Sequence, residues 1–257
     1  MKDNELEKNF QFFLNDSLHP FSGWDFTYIK DRIVTEPITW SYPSIILPYI
    51  RQVNSLLDMG TGGGEFLASL QPLPKKTFAT EAYVPNIPIA KKTLEPLGVI
   101  VRQIFEDNKL PFANDFFELI INRHEAYDAK EVFRALKSEG LFITQQVGGT
   151  NDLDINRLLG AEVSDKTVDY LFWNLSYAVN ELKDAGFKII QEKEASPISR
   201  CFDIGAIIFY MKAAPWQMPD FSVEKYREQL FSLHKKIAKD GYIDITSERF
   251  LIIARKE

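Results

Sequence analysis

Short apolar runs and helical stretches alternate along most of the chain. Near its start, over 4–14, apolar residues recur at helical spacing, and an aromatic-rich stretch follows over 21–49. Two later segments, 171–182 and 223–237, also place their apolar residues on one helical face. The segment 148–167 is polar and loop-like. We therefore predict a helical front segment and two amphipathic helices in the second half of the chain.

From residue 55 onwards, the apolar runs have the length of buried strands. They alternate with helical stretches, which is typical of βαβ units and a parallel sheet. We predict an α/β fold with a Rossmann-like, doubly wound, seven-stranded and mostly parallel sheet. The predicted strands cover 55–58, 77–81, 99–103, 119–122, 141–144, 187–191 and 250–254.

Charge and cysteine content narrow the classes of function. The formal net charge of -6 gives no general attraction to phosphate backbones, so nucleic acid is a disfavoured substrate. No apolar run approaches the roughly 20 residues of a membrane span, and the acidic first residues do not resemble a secretory signal. The single cysteine, Cys201, excludes an intrachain disulfide and any multi-cysteine metal site, and we expect it to be buried. We expect a cytoplasmic protein without a structural metal.

The strongest local signal is SLLDMGTGGGEFLASL, residues 55–70. It combines a short apolar strand, a glycine-rich turn and the start of a helix. Gly60, Gly62 and Gly64 allow the backbone to turn sharply and to approach a ligand closely. The helix that follows directs its unpaired N–H groups towards that ligand. The sequence therefore predicts a cofactor-binding loop.

A dinucleotide-binding fold also places glycines between its first strand and helix. The GxGxxG pattern started at Gly60 requires glycine at position 65, where this chain has Glu65, an anion that would oppose a pyrophosphate. Started at Gly62, the pattern meets Phe66 and Leu67, which are too large for close packing of helix on strand. Both registers fail, which disfavours a nucleotide-dependent oxidoreductase.

Acidic residues follow three of the predicted strands. Asp58 ends the first strand, Glu81 ends the second, and Glu106 with Asp107 follows the third. A carboxylate at the tip of the second strand can accept hydrogen bonds from both hydroxyls of a ribose. Glu81 therefore points to an adenosine-containing ligand without defining the reaction.

Four segments in order resemble the class I S-adenosylmethionine-dependent methyltransferases, especially the broad group that includes ubiquinone and menaquinone C-methyltransferases. They are LLDMGTGGGEF, TEAYVPNIPIAKKTL, FEDNKLPFANDFFELIINRHE and EVFRALKSEGLFIT. The resemblance covers about 55–148. Two features depart from the family's pattern: glutamate stands at positions 106 and 118 in place of the more usual aspartate, and 137–140 lacks the usual proline and first glycine.

The resemblance implies S-adenosylmethionine as cofactor, released as S-adenosylhomocysteine. Asp58 and the glycine loop would hold the methionine part, Glu81 the ribose, and Glu106 or Asp107 the adenine. Asn122 would lie beside the cofactor at the end of the fourth strand. The implied cofactor-binding residues are Asp58, Gly60, Thr61, Gly62, Gly64, Glu81, Ala82, Glu106, Asp107 and Asn122.

On this interpretation, residues 1–257 form a single methyltransferase domain. It would comprise a helical cap over 1–54, a cofactor-binding core over 55–147, and insertions with the C-terminal strands over 148–257. The cap and insertions either cover the ligand-binding edge of the sheet or serve only as packing elements.

Methyl transfer from a sulfonium is an in-line displacement in which the protein mainly positions and desolvates its reactants. His124, directly after the fourth strand, is the candidate general base; the alternative is a loop histidine without a catalytic role. Trp40, Tyr42 and Tyr83 either flank the ligands or belong to the core. We expect a small-molecule acceptor. An RNA or protein methyltransferase and a noncatalytic S-adenosylmethionine-binding protein remain as alternatives.

Overall fold

The computed structural model describes residues 3–21, 25–161 and 170–257. The chain forms two compact units. The sheet unit comprises Thr39–Gly148, Trp173–Ala195 and Arg249–Glu257, and the second unit comprises Met1–Ile38, Gly149–Phe172 and Ser196–Glu248. Parts of the predicted aromatic stretch, 22–24, and of the predicted loop, 162–167, lie outside the described residues.

The helices and strands of the described residues are numbered in chain order. The α-helices are α1 (Asp3–Leu14), α2 (Tyr42–Ile50), α3 (Glu65–Ser69), α4 (Ile87–Leu94), α5 (Ala129–Ala135), α6 (Leu153–Leu158), α7 (Leu175–Asp184), α8 (Ile204–Ala213) and α9 (Arg227–Asp240). The strands are β1 (Ile33–Thr35), β2 (Ser55–Met59), β3 (Lys76–Glu81), β4 (Ile100–Gln103), β5 (Phe117–Arg123), β6 (Leu136–Val147), β7 (Phe187–Ala195), β8 (Ile198–Cys201), β9 (Ile243–Thr246) and β10 (Arg249–Lys256).

The sheet unit contains a seven-stranded sheet in the order β4-β3-β2-β5-β6-β10-β7. Strands β2 to β6 run parallel to one another, and β10 runs antiparallel to both β6 and β7. This confirms the predicted Rossmann-like, mostly parallel sheet. All seven predicted strands are present, and each overlaps its predicted segment.

The centre of the sheet is buried on both faces, as expected for parallel strands covered by helices. All five residues of β2 are buried. On one face Leu57, Ile120, Phe142 and Ile252 form a continuous apolar cluster. Because this core fixes the register of β2, β3 and β5, it also fixes where the polar residues at their ends come together.

Helix α7 confirms one of the predicted amphipathic helices, with Ala178, Val179 and Leu182 buried. It begins later than the pattern suggested, because the Asn174 side chain accepts a hydrogen bond from the backbone N–H of Tyr177 and caps the first turn.

The second unit combines α1, α8 and α9 with a small antiparallel sheet in the order β1-β8-β9. Phe10, Ile207, Phe209 and Leu230 belong to its apolar core. The predicted helical cap over 1–54 is divided: α1 and β1 lie in this unit, and α2 lies in the sheet unit. Helix α6 lies in a segment predicted to be a loop, so that prediction is wrong there.

None of the described helices has both the length and the apolar character needed to span a membrane.

Candidate functional site

The carboxyl ends of β2, β3 and β5 lie side by side at one edge of the sheet. Met59 at the end of β2 is paired with Thr80 of β3 and with Asn122 of β5. The chain leaves β2 through the glycine loop, in which Gly60 and Gly62 adopt positive φ angles of 66° and 62°. Such angles favour glycine. The predicted loop residues and the predicted strand ends therefore meet at this edge.

Glu81 joins the glycine loop to the segment after β3. One carboxylate oxygen, Oε2, accepts the backbone N–H of Gly62 at 2.7 Å, and the other, Oε1, accepts that of Tyr83 at 2.7 Å. Beside it, the Thr61 N–H donates to the carbonyl of Thr80 at 2.9 Å. Glu81 is only 5% exposed. Its buried charge is thus stabilised by backbone donors, and each oxygen keeps a second lone pair for a further donor. Ala82 lies between Glu81 and Tyr83 in the chain.

Gly60 lies against Glu125, a residue that the sequence analysis missed. A Cβ atom at Gly60 would be 2.4 Å from Cγ of Glu125. Glu125 follows the fourth predicted strand, so the rule that drew attention to acids at the other strand ends applies to it equally. The close contact places a further acidic side chain beside the loop.

Four carboxylates influence one another at this edge, and we call Asp58, Glu81, Asp107 and Glu125 the acidic cluster. Burial raises the pKa of Asp58 to about 7. A hydrogen bond with Thr61 and the charge of Arg123 oppose this increase, and the charge of Glu81 adds to it. Burial, followed by the charges of Glu81 and Asp107, raises the pKa of Glu125 to about 7. Carboxylates held this way favour a cationic ligand.

The two adenine candidates lie in different surroundings. Asp107 is half-buried, and burial together with the Asp128 charge raises its pKa. Glu106 is exposed, and its backbone carbonyl accepts the N–H of Lys109 at 3.3 Å. Of the two, only Asp107 belongs to the acidic cluster, because its charge acts on Glu125.

Asn122 is fully buried and presents an unpaired donor. Its Oδ1 accepts hydrogen bonds from Thr144 Oγ1 at 2.9 Å and from Gln146 Nε2. Gln146 Nε2 also donates to the carbonyl of Glu125 at 3.0 Å, which fixes the orientation of both amides. Within the described residues, Asn122 Nδ2 has no hydrogen-bond partner. A buried amide donor without an acceptor is unfavourable by about 1–3 kcal/mol, so this position favours a ligand or water with an acceptor atom.

His124 lies next along the chain, with a positive φ of 62°. Burial and then the positive charges of Arg249 and Arg123 lower its pKa to about 3, although the residue keeps an exposed surface. The ring is therefore neutral at pH 7. Its Nε2 lies 3.1 Å from Nε2 of Gln145.

The three aromatic candidates have different surroundings. Tyr42 is buried, and its hydroxyl lies 2.9 and 3.0 Å from the carbonyls of Asn122 and Ile143, so it holds the ends of β5 and β6. Trp40 is also buried and donates its indole N–H to Gln145 Oε1 at 2.9 Å. Tyr83 is 59% exposed. The first two belong to the framework of the site, and only Tyr83 offers an open ring face.

Glu65 places a negative charge at the end of the glycine loop. The Glu65 carboxylate lies over Gly63 at the start of α3, where a Cβ on Gly63 would be 2.3 Å from it. An anion there opposes a bound pyrophosphate.

Cys201 is buried as expected, and burial raises the pKa of its thiol to about 12.

No known family model matches the chain, and no curated protein matches it. Solved structures do. A candidate methyltransferase from Bacillus halodurans C-125 aligns with a TM-score of 0.58 and 17% identity, covering 84% of this chain and 99% of that one. A functionally unknown protein from Deinococcus radiodurans R1 aligns over 98% and 100% of the two chains with a TM-score of 0.55 and 14% identity.

A candidate sarcosine dimethylglycine methyltransferase from Galdieria sulphuraria aligns with a TM-score of 0.50 and 13% identity, over 83% of each chain. Together with the strand order, these similarities establish the fold. The chain has the fold of the class I S-adenosylmethionine-dependent methyltransferases.

Proposed function

We propose that this protein is an S-adenosylmethionine-dependent methyltransferase that acts on a small molecule. The observation that carries the proposal is the buried Glu81 carboxylate, bonded to the glycine loop at the ligand-binding edge of this fold. The acidic cluster around it suits a ligand that carries both a sulfonium and an ammonium group.

The residues present fit the cofactor part by part. Asp58 and the glycine loop (Gly60, Thr61, Gly62 and Gly64) would hold the methionine part. The unpaired Nδ2 of Asn122 would supply a donor to its carboxylate. The free lone pairs of Glu81 would accept the ribose hydroxyls, next to Ala82. Asp107, rather than the exposed Glu106, would accept from the adenine amino group.

When bound, the cofactor supplies a methyl group that is already activated by its positively charged sulfur. The protein then has to hold the acceptor in line with that methyl and to exclude water. Alignment of this kind contributes about 7–11 kcal/mol in well-oriented reactions. The rigid strand ends and the buried polar contacts of Asn122 and Glu81 suit such positioning.

A small acceptor suits the charge of the protein better than a nucleic acid does. The net charge is -6, and the acidic cluster adds local negative potential at the edge of the sheet. Both oppose a phosphate backbone. A noncatalytic S-adenosylmethionine-binding protein would share these features, so turnover has to be measured directly.

Titration calorimetry with S-adenosylmethionine, S-adenosylhomocysteine and NAD tests the cofactor. We expect the first two to bind and NAD not to bind. Glu81→Ala removes the bonds to the ribose and the loop, so it should weaken binding about 10- to 100-fold. Glu192→Ala, at an exposed glutamate of β7, is the matched control and should leave affinity unchanged. Binding of NAD alone would contradict the proposal.

Release of S-adenosylhomocysteine tests turnover. The protein should release it when incubated with S-adenosylmethionine and a small-metabolite extract, and not with RNA or protein fractions. Binding without release from any fraction would favour the noncatalytic alternative and overturn the enzyme assignment.

A further inference from the structure

The ligand-binding edge changes charge from one side to the other. The acidic cluster lies at the ends of β2 and β3 and beside Gly60, whereas basic residues lie around the ends of β5, β6 and β10. In the sheet register, Arg123 is paired with Gln145, and Arg249 is paired with Val147, two positions further along β6. Since alternate residues of a strand share a face, Arg123, Gln145 and Arg249 lie on the same face of the sheet.

A chain of hydrogen bonds fixes the tautomer of His124. The indole N–H of Trp40 can only donate, so the Gln145 atom that it contacts at 2.9 Å is the oxygen Oε1. Gln145 therefore presents its N–H group to Nε2 of His124 at 3.1 Å. Nε2 must be the acceptor, and the proton of the neutral ring is on Nδ1.

This arrangement changes what His124 can do. A general base needs an available lone pair, but the Nε2 lone pair is engaged by the buried Gln145 amide. If Nε2 were protonated, its N–H and the N–H of the Gln145 amide would point at each other with no acceptor between them. The remaining ring nitrogen, Nδ1, carries an N–H that makes no hydrogen bond within the described residues. His124 is thus a donor with positive charges around it.

We propose that His124 and Arg249 bind an anionic oxygen of the methyl acceptor, with the His124 Nδ1–H as a hydrogen-bond donor. Trp40 and Gln145 are positioning residues that hold this tautomer. The inference rests on the proposed function: the acidic side of the edge takes the cationic cofactor, and the basic side takes an acceptor that carries a carboxylate or another oxyanion. Charge complementarity on each side keeps the two ligands in separate places.

Nitrogen NMR of the histidine rings tests the donor directly, because the chain has only three histidines. The probes are benzoate, inorganic phosphate and the neutral analogue benzamide, each added with and without saturating S-adenosylhomocysteine. We expect benzoate or phosphate, and not benzamide, to shift the His124 Nδ1 signal saturably. The two anions distinguish a carboxylate from a phosphate.

Variants assign the anion to the two residues. Arg249→Gln and His124→Asn should each weaken anion binding about 10- to 100-fold, since each removes a hydrogen bond to a charged group. Asparagine tolerates positive φ better than most residues, so His124→Asn adds little backbone strain. Lys183→Gln, at an exposed lysine of α7, is the control and should change binding less than about twofold. Thermal melting checks that each variant is folded.

Gln145→Glu separates positioning from a merely structural role. A glutamate has no donor, so its carboxylate would accept from both Trp40 and His124 Nε2–H, and the ring proton would leave Nδ1. We expect the pattern of the two His124 nitrogen signals to reverse, and anion binding to be lost. A structural role alone would lower the melting temperature without changing the nitrogen pattern.

Three results would overturn the inference: no saturable shift with either anion, equal binding of benzamide, or unchanged anion binding in Arg249→Gln. Failure of S-adenosylmethionine to bind in calorimetry would instead remove the proposed function. The anion titrations without S-adenosylhomocysteine still decide whether the His124 and Arg249 site exists.

Discussion

Buried acidic groups occur in both units of this protein, but they are stabilised in opposite ways. In the second unit, Asp16 and Asp203 share one cation: the Arg32 guanidinium lies 2.6 Å from Asp16 and 2.5 Å from Asp203. In the sheet unit, Glu81 of the acidic cluster relies on backbone donors, whereas Asp58 and Glu125 hold their protons more tightly than free carboxyl groups do. Burial raises the pKa of Asp58 and of Glu125 to about 7.

The difference separates a structural network from a binding site. In the Arg32 network both carboxylates already have several donors: Tyr28 also donates to Asp16, and Asp203 also caps α8 by accepting the N–H of Ala206 at 2.9 Å. The acidic cluster remains short of positive charge, and a cationic ligand would relieve that shortage. Raised carboxylate pKa values without a matching cation are thus the better guide to the site.

The largest expected effect is on the paired network. Arg32→Met leaves Asp16 and Asp203 without their cation, which should lower the free energy of unfolding by about 3 kcal/mol. Urea denaturation measures the change. Arg157→Met, which breaks an exposed pair with Asp154, should cost less than about 1 kcal/mol. An equal loss in the two variants would show that the Arg32 network contributes no more than a surface pair.

Glu125→Gln tests the unpaired cluster through its pH dependence. Because the native pKa of Glu125 is raised, the folded protein keeps a proton between about pH 4.5 and 7 that the unfolded chain has released. Folding stability therefore falls as pH rises through this window. The variant removes this contribution and should be more stable than the wild type at pH 8 by roughly 1–3 kcal/mol.

The same variant changes ligand binding. A cationic cofactor favours the ionised carboxylates, so binding to the wild type should release protons and strengthen from pH 6 to pH 8. Calorimetry in two buffers of different ionisation enthalpy measures the release. Glu125→Gln should release fewer protons, and Glu192→Gln is the matched control. Equal proton release by all three proteins would contradict the role given to the cluster.

The smallest expected effect is at Glu118, which has both a backbone donor, as Glu81 has, and a cationic partner, as Asp16 has. Glu118 accepts the backbone N–H of Asn54 at 2.8 Å and pairs with Lys137 at 3.0 Å, and the Asn54 bond is the main cause of its lowered pKa. Lys137→Gln should cost only about 0.5 kcal/mol, because the backbone donor remains. The difference from the wild type should shrink further in 0.5 M salt, as expected for an exposed pair.

Much of the sheet unit could be predicted from the sequence, because buried parallel strands leave continuous apolar runs. The seven strands were found in this way, and the glycine loop with Glu81 followed from the residues at their ends. The second unit was harder. Strand β1 has only three residues, too few for a periodicity to be visible.

The missed site residues depend on pairing between strands. Gln145 and Arg249 lie more than a hundred positions apart, and only the register of β5, β6 and β10 places them on one face. The tautomer of His124 depends on Trp40, which comes from yet another part of the chain. Glu125 could have been predicted from the sequence, since it lies just after a predicted strand, as Glu106 and Asp107 do.

The position of β10 has a consequence for synthesis of the protein. Among the described strands, β7 pairs with β10 alone, and β10 also borders β6. A nascent chain that has not yet extended past Arg249 can assemble β2 to β6 but leaves β7 without its neighbour. Of the seven strands in this sheet, β10 is therefore the last to emerge from the ribosome, and its insertion between β6 and β7 completes the sheet.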